Sequence, residues 1–423
     1  HQTVYGYSRD ELDEMLEPMA TDGKDPVGSM GDDTPLSVLS EFNRPLFSYF
    51  KQLFAQVTNP PLDYIREELV TSMETRLGPQ RNLLDESPAH ARQLVADSPV
   101  LTDAETAAVR GLDGDGADLR SETVDITYDP ATSLEDAVER VRADARAAVE
   151  DGADVVVLSD RATDDDRVPV PSLLATGAVH HDLVRRGLRA RTGLVVESGD
   201  PRTVHHVATL VGYGAGAVDP YLAYQSIADV VAGPDGADED EALAAYVSAL
   251  EDGLLKTMAK MGISTVESYQ GAQVFEAVGL DSDFVAEYFE GTENRTEGIG
   301  VDEIERDLRS RHDAAFDDPA VDHRGEYAHR SNGIHHQWNP GTVGALQRAV
   351  RGDDPDSYEE FATQINDQES QLQTLRGLLA FDAEDRESIP IADVEPVADV
   401  VDRFSTAAMS LGSLSPEAHE NNA

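Results

Sequence analysis

From Glu122 to Tyr221 short apolar runs alternate with longer stretches whose apolar positions recur every three or four residues. VDITYD, ADVVVLSD, TGLVVES and AGAVDPY read as strands. Between them SLEDAVERVRADARAAVEDG, LLATGAVHHDLVRRG and DPRTVHHVATLVGYG read as helices, the last opening with Asp200 and Pro201. ADVVVLSD is almost continuously apolar, as a strand covered on both faces should be. Repeated β–α units predict an α/β fold in which a parallel sheet with helices outside forms an incomplete, barrel-like unit.

On the carboxyl side of this region, Leu243, Val247, Leu250, Leu254 and Met258 form one helical stripe. Lys260 lies in its last turn and Gly262 stops it. ISTVESY alternates and is β-branched, which predicts a strand, with a further helix from about Gln270 to Gly279. Glu267, Ser268, Tyr269 and Gln270 would then leave a strand at its carboxyl end, where α/β proteins place their sites. A helix cap or an interface contact is the plainer role for such residues.

On the amino side, SRDELDEMLEPM predicts a helix, with Ser8 and Glu11 as a capping box. Gly28, Gly31, Asp32 and Asp33 follow in TDGKDPVGSMGDDTP, which reads as a turn although its composition also suits an anion loop. Phe42, Leu46, Phe47, Phe50, Leu53 and Phe54 show helical spacing and predict a helical, aromatic-rich N-terminal part serving as core or domain interface. Pro60 and Pro61 restart a helix over LDYIREELVTSMETRL, which Gly78 ends. Beyond residue 294, VDEIERDLRSRH predicts a helix and HRGEYAHRSNGIHHQWNP a loop holding the only tryptophan, Trp338. A polar helix is expected from Pro355 to Ala380, and a stretch of small residues leads into a helix near Pro416.

Charge changes the picture. The 423 residues carry a formal net charge of −49, from 82 acidic and 33 basic side chains, and the only lysines are Lys24, Lys51, Lys256 and Lys260. The excess is dispersed, so it self-repels at low ionic strength and predicts a salt-adapted cytoplasm. Nucleic-acid binding is disfavoured, because a phosphate backbone needs basic surface. There is no cysteine, hence neither a disulfide nor a thiolate-held metal or iron–sulfur cluster in this stretch. No apolar run approaches the roughly 20 residues of a membrane helix. The opening HQTVYGYSRDEL, without an initiating methionine, suggests a piece of something longer.

Most motifs that could carry chemistry are weak. The histidine pairs His180/His181 and His205/His206 sit on helices, where neighbours point about 100° apart and cannot share one ion. His323 and His329 near His335/His336 are the best metal arrangement, with surface or interface roles the plainer reading. Asp113, Asp115 and Asp118 have a calcium-loop look, but position twelve is Val124. Gly212, Gly214 and Gly216 follow a helix and lack dinucleotide-binding spacing. Ser48 to Lys51 forms an SxxK without its companion motifs. In Met409-Ser410-Leu411-Gly412-Ser413, small side chains leave room for a flat or anionic ligand against the backbone; a helix-entry turn capped by Ser415 is the alternative.

GLLKTMAKMGISTVESYQGAQVFEAVGL, PVGSMGDDTPLSVLS, RPLFSYFKQLFAQVTNPPLDYIREELVTSMETRLGPQRNLL, VGYGAGAVDPYLAYQ and AAMSLGSLSPEAHE together resemble the glutamate synthase large subunit, in the family's order and across most of the chain. The resemblance implies three segments. Residues 1–40 would be the tail of a glutamine amidotransferase domain and a linker, 41–395 the central domain, and 396–423 the first strand and helix start of an FMN-binding β/α barrel. It implies conversion of glutamine and 2-oxoglutarate to two glutamates, with FMN and a 3Fe-4S cluster in the full-length protein. Electrons would come from ferredoxin or from an NAD(P)H-dependent small subunit, and the other partners would be the remaining domains of the same subunit. It places Met409, Ser410, Gly412 and Ser413 against FMN and 2-oxoglutarate; no catalytic or metal residue falls in this stretch. HENNA departs from the family's pattern. The expected role is structural coupling of the glutaminase and flavin sites. A self-contained β/α enzyme using Glu267 and Tyr269 as acid and base, and a free-standing interaction module, remain as alternatives.

Overall fold

The computed structural model describes residues 1–27, 39, 42–53, 62, 66–113, 118–232, 238–317, 319–368, 372–382, 386–405 and 416–417. The chain divides into a unit of residues His1–Thr374 and a second of Leu375–Ala423.

The first unit is organised by four parallel strands, β1 (Ser121–Asp125), β2 (Val155–Ser159), β3 (Gly193–Glu197) and β4 (Ala217–Asp219), in the order β1-β2-β3-β4. Helices α1 (Leu134–Glu150), α2 (Ser172–Arg185) and α3 (Val204–Gly212) connect them, and α4 (Tyr221–Val231) follows β4. When strand order equals chain order, right-handed crossovers put the connecting helices on one face. The alternation of side chains agrees. Val156, Leu158, Leu194, Val196 and Val218 join the helices' core, whereas Val155, Val157, Val195 and Ala217 meet a second core with Leu77, Leu101 and Val109. The helix Asp103–Arg110 and the antiparallel pair Thr75–Leu77 and Leu94–Ala96 supply that second cover. The strands predicted between Glu122 and Tyr221 and the helices between them are therefore present, and among the described residues the sheet stays open rather than closing into a barrel.

Long α5 (Glu239–Met261) runs as its stripe predicts, from an Asp238 cap to Gly262 in the left-handed region at φ 74°. Ser8 and Glu11 form the expected capping box; the chain then passes through a wider π-type turn at Leu12–Leu16 to a helix ending at Asp22. One helix begins at Val204 rather than at Asp200 and Pro201, because Thr203 is its cap. VDEIERDLRSRH lies in the helix Val301–Asp317, and residues 322–339 form neither helix nor strand.

Several expectations fail. ISTVESY is not a strand: Thr265 accepts from the Ser268 amide and caps a one-turn helix, Val266–Tyr269. Residues 270–279 are not helical, because Phe275–Ala277 pairs antiparallel with Phe50–Gln52 and parallel with Glu293–Asn294. The aromatic stretch is a 3-10 turn, Leu46–Tyr49, running into that strand, and Thr75–Leu77 is a strand rather than the end of a helix stopped by Gly78. In the last three cases pairing with a distant strand overrides local spacing, and in the first a local cap does. The helix from Pro355 ends at Asn366, short of Ala380, and Asn339 caps an unexpected helix Pro340–Gly352. The second unit contains short turns and the helix Val397–Val401, with Phe381, Ile391 and Phe404 exposed.

Candidate functional site

The last fully registered row of the sheet is polar: Asp125 lies opposite Ser159, Ser159 opposite Glu197, and Glu197 opposite Asp219. These residues end the apolar runs at the carboxyl edge, the usual place for a site in a parallel sheet. Two arginines fill the space before them. Arg110 pairs with Glu197 and its Nη2 donates to Ser159 Oγ at 3.0 Å; Ser159 Oγ donates to Glu197 Oε2 at 2.5 Å. Arg161 Nε donates to the other Glu197 oxygen at 2.7 Å, pairs with Asp103, and lies over the Tyr221 ring at 4.3 Å.

Two carboxyl groups here stand far from their ordinary acidity. Burial, reinforced by Asp103, pushes Asp219 up to about 7 against the pull of the Thr106 hydroxyl, Arg161 and Arg110. Burial likewise pushes Asp160 up to about 6, although Tyr221 Oη at 2.9 Å, the Gly199 amide at 3.0 Å and Ser198 Oγ donate to it.

The edge is closed from outside by the chain's own first residues. Tyr5 Oη lies 2.9 Å from Thr163 Oγ1 and 3.2 Å from Tyr221 Oη, and Tyr7 Oη donates to Gly199 O at 3.1 Å. A Cβ on Gly199 would stand 2.6 Å from the Tyr5 ring, so glycine permits this approach. Arg202, 1% exposed, holds Glu11 with two parallel bonds of 2.9 and 3.0 Å. Its remaining donors reach the Asp200, Tyr5 and Gly6 carbonyls, and its guanidinium lies 4.3 Å from the Tyr7 ring centre. Geometrically this arrangement is a clamp: Arg202, Glu11, Tyr5 and Tyr7 are bonded within the protein, and the perturbed acids Asp160 and Asp219 are buried rather than presented to solvent.

None of the row or the clamp stands out in the sequence. A faint signal exists, since a serine or an acid closes each apolar run, at Asp125, Ser159, Glu197 and Asp219, but which ends align is set by register. Met409, Ser410, Gly412 and Ser413 lie outside the described residues, as do the glycine–aspartate positions Gly28, Gly31, Asp32 and Asp33 and the centre of the Asp113–Asp118 loop. Glu267 and Tyr269 do not reach the sheet edge. Tyr269 is buried, its Oη donates to Gln52 Oε1 at 3.2 Å, and burial holds its hydroxyl proton far more tightly than usual. Gly212, Gly214 and Gly216 serve packing: a Cβ would meet Phe275 at 2.6 Å, His180 at 2.1 Å and Leu77 at 2.5 Å. Phe47 stacks on His206 at 4.3 Å, so the aromatic stretch is core. His323 binds Asp10 at 2.9 Å and His336 Nε2 donates to Gly325 O at 2.6 Å. Among the described residues no three His, Asp or Glu side chains gather closely enough to hold a metal ion.

A family model, glutamate synthase central domain, matches residues 1–281, and a conserved region in glutamate synthase matches 336–423. The chain is similar to the NADPH glutamate synthase large chain of Bacillus subtilis, with 41% identity over 99% of this chain and 27% of that protein. It is 40% identical to the NADH glutamate synthase of Schizosaccharomyces pombe, covering 20% of it. With the ferredoxin-dependent glutamate synthase of Pyropia yezoensis the identity is 37%, covering 28%. The chain thus spans between a fifth and about a quarter of the length of these relatives. The flavin-binding domain of baker's yeast flavocytochrome b2 overlaps 37% of this chain and 39% of that one at 20% identity and a TM-score of 0.26, too low to carry an argument. On the family match and the relatives' identity across its whole length, the chain belongs to the glutamate synthase central-domain family.

Proposed function

We propose that this chain is the central piece of a glutamate synthase, an oxidoreductase forming two glutamates from glutamine and 2-oxoglutarate, and that its own part is mechanical coupling. One observation carries the reading: the first residues, which the resemblance assigns to the amidotransferase tail, are clamped by Arg202 and Glu11 onto the carboxyl edge of the sheet. A site that must admit substrate leaves its polar groups accessible, whereas here Glu197, Asp160 and Arg202 are buried and bonded within the protein. On the resemblance, segments 1–40, 41–395 and 396–423 would be amidotransferase tail, central domain and the start of the flavin barrel. Among the described residues the sheet edge, filled by Arg110, Arg161 and Tyr5, does not fit a flavin ring. The resemblance gives FMN contact to Met409, Ser410, Gly412 and Ser413, together with further parts of a flavin barrel. The 3Fe-4S cluster belongs elsewhere as well, since this chain has no cysteine. Ferredoxin or an NAD(P)H-dependent small subunit would supply electrons, in a high-salt cytoplasm.

The test is stoichiometry in the whole enzyme. With Arg202→Met or the milder Glu11→Gln, glutamine hydrolysis should outrun 2-oxoglutarate-dependent glutamate formation, because the clamp no longer holds the two ends in register. A strictly matched ratio in both variants, with reduced stability as the only change, would sink the coupling reading.

A further inference from the structure

A cleft beside the clamp, with Val4, Tyr5 and Asp200 in its wall, lies between the Val301–Asp317 helix, the Leu46–Tyr49 turn and residues 169–171. Its walls are mainly apolar, from Leu46, Ile299, Ile304 and Leu308, and its cavity is small, about 30 Å³. Arg311 lines it. The Nε and Nη1 atoms of Arg311 are buried and have no hydrogen-bond partner, although the residue as a whole keeps some surface.

Donor atoms buried without an acceptor are costly, since they lose water and gain no hydrogen bond in return, even where Asp200 and Asp307 attract the guanidinium's charge. The neighbouring charges do not resolve the cost. Asp200 already accepts from the Ser172 amide at 3.2 Å and from Ser172 Oγ at 3.0 Å, and burial raises its own proton affinity. Asp307 stands 3.8 Å from Arg306. Arg324 and Arg202 add like charge to the surroundings of Arg311, and Arg44 brings a further cation to the cleft wall. A water molecule would satisfy a donor but leave the charge. An acceptor that also carries charge would do both.

The geometry points to a binding site for a compact, singly charged anion, a halide or a small carboxylate, held in this cleft by the Arg311 guanidinium. Single charge follows from Asp200 and Asp307, which would repel a dianion more strongly. The apolar walls accommodate a short alkyl tail or a weakly hydrated halide. This site is independent of the coupling role proposed above.

Bromide and acetate are the probes. In crystals of the whole protein grown in bromide, an anomalous peak in hydrogen-bond contact with Arg311 Nε or Nη1 is expected. Its loss on adding acetate would assign the site to carboxylates as well, and its persistence would restrict it to halides. Melting temperature should rise saturably with bromide at constant ionic strength, made up with bulky gluconate, and Arg311→Met should abolish that saturable rise. A water in place of the peak, or an unchanged rise in Arg311→Met, would overturn the proposal. Should the variant not fold, the anomalous map decides alone.

Discussion

At the scale of single residues, buried acids set the pH response. Asp219 is pushed up to about 7 and Asp160 to about 6, against an unfolded value of about 3.9. A carboxyl group that holds its proton more tightly when folded favours the fold at low pH. That contribution is complete below about pH 4 and is lost as pH rises toward 7. His180 and His181 act oppositely, because burial lowers them to about 3 and about 4, so their share is complete above about 6.5 and is lost as pH falls. Asp219→Asn should therefore flatten the fall in stability between pH 5.5 and 7.5 by about 1–2 kcal/mol, read from urea melts at the two pH values. Parallel pH dependences in variant and wild type would show that Asp219 titrates normally.

At the scale of elements, close approach rather than propensity fixes the packing of α5. A Cβ on Gly253 would stand 2.3 Å from Val204 Cγ2, at the start of α3. Glycine costs helix stability there and is repaid by contact between the two helices. Gly253→Ala should destabilise the fold by about 1–3 kcal/mol through overpacking. Adding Val204→Ala should recover part of that loss, a coupling that a double-mutant cycle of thermal melts would measure. Simple addition of the two effects would mean that the helices are not in contact here. The failed predictions belong to this scale too. ISTVESY carries β-branched residues, yet Thr265 finds a capping role and the pairing passes to Phe275–Ala277. Residues 46–54 have helical spacing, yet Phe50 is buried against Tyr213 and Phe289 on a strand.

For the whole molecule, the acidic excess decides how stability responds to salt. A formal net charge of −49 on 423 residues repels itself over a Debye length of about 10 Å at 0.1 M salt, which shrinks to about 3 Å at 1 M. The melting temperature should accordingly climb steeply from dilute buffer to molar potassium chloride. A melting temperature independent of salt would remove the case for a high-salt cytoplasm. The arginines that survive in this acidic chain are concentrated in ion pairs, and the buried ones, Arg202 above all, hold distant segments together.

What the sequence determined by itself is the set of elements whose signals are local. The strand–helix alternation from Ser121 to Asp219, the α5 stripe with its Gly262 stop and the Ser8 capping box each depend on neighbours within a turn or two. The idiosyncratic segments likewise carried the family. Tertiary structure alone decided the rest. Asp125, Ser159, Glu197 and Asp219 come from four separate strands, and only the register brings them into one row. Glu11 and Arg202 are 191 positions apart, and no periodicity links them. Contacts of that range are selected by burial and charge pairing across the folded core, which leave no repeat in the chain to read.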